Sequence, residues 1–87
     1  MFRMYAREVR NGHMVREMTV CDTRKVNRTK KVLEGLDAVC NAFDLSRPIW
    51  LESTIEDFKL HSMARFNNDA FIDDIAFDYL ELQVIEE

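Results

Sequence analysis

Glycine and proline are scarce in this chain, with two Gly and one Pro in 87 residues. With only Gly12 and Gly35 available, no glycine-rich loop can cradle a phosphate, which excludes the nucleotide-binding motifs built that way. Cysteine is as rare: Cys21 and Cys40 lack CxxC spacing, so neither a zinc site nor a disulfide framework is expected. Both are expected to be buried free thiols. No apolar run approaches the ~20 residues needed to cross a bilayer. The start, Met1-Phe2-Arg3-Met4-Tyr5-Ala6-Arg7, alternates charge with apolar side chains where a signal peptide would carry an apolar block, and the expected location is cytoplasmic. His13 and His61 lie far apart, and Asp69, Asp73 and Asp74 have no glycine-centred calcium loop. No metal and no cofactor is therefore expected.

What is present is enough for one core. At 47% hydrophobic and 32% charged residues, residues 1–87 make a single domain, because so short a chain cannot divide its apolar residues between two cores. A domain of this size buries only roughly 60–65% of its unfolded surface, so it is marginally stable and gains from self-association. The formal net charge of −4 hides a polarity: residues 1–31 hold nine Lys and Arg against three acids, and the remainder hold three against thirteen. Such halves either neutralise each other, within one copy or across a dimer, or offer a basic face to an anionic partner.

Asn11-Gly12 between two runs rich in Tyr, Val, Met and Thr predicts a β-hairpin. A plain two-residue loop would set Arg7 opposite Arg16. A three-residue loop, Arg10-Asn11-Gly12, instead pairs Phe2 with Val20, Met4 with Met18 and Ala6 with Arg16, and this register is favoured because one face becomes continuous core. Val32, Leu33, Leu36, Val39, Cys40 and Phe43 form one stripe at the 3.6-residue period, a helix with Asp22-Thr23 or Thr29 as its cap. It ends before Ser46-Arg47-Pro48. Ile49-Trp50-Leu51 reads as a short buried strand. Ser53 and Glu56 make a capping box for a second helix running towards Phe66, although Phe58 to Phe66 also alternates at the period of a strand. Phe77 to Ile85 is a strand whose inward set is Leu80, Leu82 and Val84. The fold class expected is α+β, a small antiparallel sheet with one long and one short helix on one face, in the order β-β-α-β-α-β.

Phe58-Lys59-Leu60-His61-Ser62-Met63-Ala64-Arg65-Phe66, Asp69-Ala70-Phe71-Ile72 and the run from Phe77 to Glu86 give the chain, mainly over residues 49–87, a resemblance to a group of short uncharacterised bacterial proteins. It implies a small stand-alone bacterial protein and no particular chemistry. No motif of a known enzyme class is present, and the expectation is a non-catalytic module that binds a protein partner or itself, as a homodimer. Its candidate contact face is Arg3, Tyr5 and Arg7 on the outer side of the hairpin. The rival reading is a nucleic-acid-binding accessory protein using Arg24, Lys25, Arg28, Lys30 and Lys31, against an acidic pI of about 5.1. Asp57, His61 and Arg65, each four residues apart, form a polar ladder if they share a helix. In a sharper role, Arg65 and His61 would hold an anion or small ligand.

Overall fold

A computed structural model describes all 87 residues. Strand β1 is Phe2–Arg10 and β2 is His13–Asp22; helix α1 is Arg28–Phe43 and α2 is Glu52–His61; β3 is Met63–Asn67 and β4 is Tyr79–Glu86. The four strands form one antiparallel sheet in the order β2-β1-β4-β3. Both helices lie on the face formed by Phe2, Met4, Ala6, Ala64, Phe66, Leu80 and Leu82, where Val32, Leu36, Val39, Cys40, Phe43 and Phe58 complete a continuous core. The α+β class holds. The element order does not, because the third strand lies after α2 and not before it.

The hairpin shows why both registers considered from the sequence miss. Asn11 at φ 53° and Gly12 at φ 77° form a two-residue turn with both central residues left-handed, the geometry that matches strand twist. Arg10 then pairs with His13 and Val9 with Met14, but the register shifts at Val9, so that Arg16 faces Glu8, Glu17 faces Arg7, Met18 faces Ala6 and Val20 faces Met4. The one-residue bulge at Val15 turns the like-charge clash of a plain two-residue loop into two opposite-charge pairs. It also keeps the apolar stripe inside.

Helix α1 is capped by Asn27, whose side chain accepts a hydrogen bond from the Lys30 amide at 2.8 Å, not by the Asp22-Thr23 or Thr29 expected. Its close seat on the sheet explains Gly35: a Cβ there would meet Met4 Cε at 2.8 Å. Ile49-Trp50-Leu51 is not a strand. Its one main-chain tie to a distant segment is Ile49 N–H to the Ala70 carbonyl at 2.7 Å, the Leu51 carbonyl accepting locally from the Ile55 amide in α2, with Ile49 exposed and Trp50 half-buried against Phe58 and Phe66. Helix α2 begins one residue before Ser53 and has no side-chain cap. Residues 58–66 turn out to be both structures at once, because Ser62 takes φ 56°, closes the helix and starts β3.

Candidate functional site

The helices cover one face of the sheet and leave the other open. Along β1 the alternation places Arg3, Tyr5 and Arg7 on that open face, each half-buried. Arg7 Nε donates to Glu81 Oε1 at 3.0 Å from one side, and Arg65 Nε donates to Glu81 Oε2 at 2.9 Å from the other. The Glu81 side chain is only 4% exposed, against 36% for Arg7 and 55% for Arg65. One carboxylate on the middle strand β4 thus locks arginines from β1 and β3, and the triad keeps one net positive charge facing solvent. The Glu81 hydrogen bond raises the Arg7 pKa. Arg65 also lies 4.8 Å over the Tyr79 ring. Tyr5 donates to Glu17, and that bond pushes its phenol pKa upwards.

A second buried carboxylate was not anticipated. Glu8, 3% exposed, lies on the helix side and receives Arg16 Nε at 2.6 Å and Nη2 at 3.0 Å. Arg16 also donates to the Phe43 carbonyl at 2.7 Å and covers that ring, so it closes the open end of α1. The signal was available: Glu8 continues the inward alternation Phe2, Met4, Ala6.

In the basic cluster the two arginines are paired with acids and the three lysines are not. Arg24 is held by Asp22 at 2.7 Å and Glu34 at 3.2 Å, and its hydrogen bonds hold the Asp22 carboxyl down to about 2. Arg28 Nε lies 2.7 Å from Glu87, Nη2 donates to Ser62 Oγ, and the guanidinium covers the Phe58 ring. Lys31 lies 5.7 Å from the centre of the Phe2 ring. Lys25 and Lys30 extend into solvent.

His61 and Arg65 do line one shallow depression, but across a helix–strand junction and not along one helix. Asp57 joins them there. A carboxylate in the same depression, with Arg65 already on Glu81, offsets the positive field an anion would need. No group of three His, Cys, Asp or Glu side chains is gathered in metal-binding geometry, and no helix is long and apolar enough to cross a membrane.

The free edge of β2 is the other feature sequence reasoning left unresolved. β2 pairs only with β1, and seven of its ten residues are exposed, the other three half-buried. The two-residue turn closes on the pair Arg10 and His13, so even-numbered residues of β1 direct their main chain at β2. Val9 accordingly turns its carbonyl the other way, to the Asp78 amide at 2.8 Å. Beyond the bulge this phase leaves the amides and carbonyls of Glu17, Thr19 and Cys21 pointing outwards from the sheet. No family model matches the chain, and no curated protein or solved structure is detectably similar to it.

Proposed function

We propose that the protein is a non-catalytic binding module whose first partner is a second copy of itself, joined along β2. The observation that carries this reading is the unpaired outer edge, because a long strand with unmet main-chain groups is a template for another strand. Its sequence is self-complementary about Thr19. A two-fold axis there sets Thr19 against Thr19, Met18 against Val20, Glu17 against Cys21 and Arg16 against Asp22, with no like charges opposed. Centring on Glu17 would oppose two carboxylates, and centring on Met18 would put Arg16 against Val20. The phase also fits, since Glu17, Thr19 and Cys21 would form the hydrogen-bonded pairs.

The product is an eight-stranded sheet whose open face carries two copies of Arg3, Tyr5 and Arg7, a mixed-charge surface for a further protein partner. Unpaired thiols at Cys21 and Cys40 suit a reducing, cytoplasmic setting. The rival reading, nucleic-acid binding, would draw first on the unpaired Lys25 and Lys30, because Arg24 and Arg28 would each have to leave an acid of the same chain.

Sedimentation across protein concentrations tests the pairing. The wild-type chain should be a dimer, and Thr19→Pro, which removes an outward N–H, should be a monomer with unchanged circular dichroism. A wild-type monomer at every concentration rejects the proposal. Retention on a polyanion column that falls steeply with salt, and is lost in Lys25→Gln/Lys30→Gln, would establish the rival instead.

A further inference from the structure

An apolar groove of about 380 Å³ runs between the first turns of α1 and the middle of α2, a volume within the range of small-ligand sites. Val32, Leu33, Trp50, Ile55 and Phe58 form its walls, and Leu33 and Ile55 remain 44% and 38% exposed. The polar residues lining it are Arg28, Thr29 and Lys59, with no acid among them. The first turn of α1 also carries no acidic side chain, so the positive end of the helix dipole adds to the field of the two cations.

Two buried side-chain nitrogens in the whole chain lack a hydrogen-bond partner, Arg28 Nε and Trp50 Nε1. Both are donors, and both belong to residues lining this groove. Arg28 Nε does lie 2.7 Å from Glu87 Oε1, close enough for charge attraction but without hydrogen-bond alignment. Trp50 Nε1 is thus the one buried donor with no acceptor beside it, and a buried donor left unmet costs free energy.

We infer that the groove binds a small amphipathic monocarboxylate, its apolar body against Leu33, Ile55 and Phe58 and its head group at Arg28 and Lys59. A guanidinium fork matches a carboxylate, and Arg28 already takes one from Glu87. That residue follows the end of β4 and is 55% exposed, so it is the natural internal competitor, displaced when ligand enters. Small movements of the covering side chains would then open Trp50 Nε1 to an acceptor.

The sole tryptophan is the reporter. Titration of the intact protein with decanoate should give a saturable change in Trp50 fluorescence, with decanol about tenfold weaker. Leu33→Asp, at an exposed position, should weaken decanoate by about tenfold or more with the fold retained by circular dichroism. Lys59→Gln should weaken it less, and Glu87→Gln should tighten it. No saturable response to decanoate overturns the inference and leaves the Trp50 donor to ordered water. Equal binding of decanol, or a Glu87→Gln protein no tighter than wild type, overturns the carboxylate head group. Neither result depends on the oligomeric state.

Discussion

The two buried carboxylates behave differently from the surface acids around them because each is closed in by arginine. Removing Arg16 would leave Glu8 uncompensated at 3% exposure. Arg16→Met should therefore cost about 2–3 kcal/mol, below the range for a fully buried pair because Arg16 is itself 45% exposed. Glu8→Leu/Arg16→Met should recover most of that loss in a denaturant titration, since no lone charge remains. Recovery of less than half would mean that the tie from Arg16 to the Phe43 carbonyl matters more than the ion pair. The thiols separate by environment as well. Burial pushes Cys40 up to about 11, whereas Cys21 is exposed. Native protein at neutral pH should label rapidly at one thiol only, at Cys21, contrary to the expectation that both are buried. Because the folded Cys40 pKa lies above its ordinary value of 9.0, its contribution to stability is complete below about pH 9 and is lost as pH rises towards 11. A stability profile flat across that window would show that Cys40 meets water before unfolding.

The elements were legible where one period ran unbroken and illegible where two met. The stripe from Val32 to Phe43 and the inward set Leu80, Leu82 and Val84 follow from spacing, and the structure buries all of them except Leu33, which is exposed, and Val84, which is half-buried. Residues 58–66 satisfied a helix and a strand because they contain the end of one and the start of the other, and nothing in Ser62 announces a left-handed residue. The bulge at Val15 was hidden for a different reason: its rationale lies in charges on a neighbouring strand. Ile49-Trp50-Leu51 had the composition of a strand but no neighbour to pair with. Two helix ends are suboptimal and correctable. Asp44 is an exposed non-glycine C-cap at φ 56°, and its negative charge opposes the helix dipole. Asp44→Gly should stabilise by about 1 kcal/mol. Leu51 occupies the N-cap of α2 without a capping bond, and Leu51→Ser should add about 1 kcal/mol. Thermal melts of the two single variants check both, and their effects should add because they modify different helices.

At the scale of the whole molecule, the charges on the open face of the sheet are largely met from within the chain. Arg3, Tyr5 and Arg7 do lie together on an uncovered sheet face, but acids of the same chain hold all three: Glu81 on Arg7, Glu17 on the Tyr5 hydroxyl, and Glu86 at 4.0 Å from Arg3. Much of the charge polarity between the chain's halves is thus spent internally, through β1 against β4 and Arg28 against Glu87. A dimer built along β2 would rest on main-chain pairing and apolar contact more than on opposite halves attracting. Its melting temperature should rise with protein concentration and depend only weakly on salt. Thr19→Pro should abolish the concentration dependence.

The order β2-β1-β4-β3 also has a consequence in time. The seam at the middle of the sheet joins Arg3 to Glu86, so the hairpin can close in ~1–10 μs while β1 keeps one bare edge until β4 arrives. During synthesis, at roughly 5–20 residues per second, that wait lasts several seconds. Through most of it Phe2, Met4 and Ala6 have only α1 to pack against, and neighbouring nascent hairpins on one messenger are within reach of each other. Moving β4 ahead of β1 in a circularly permuted chain would remove the delay, and the yield of soluble protein from such a chain would report how much that exposure costs.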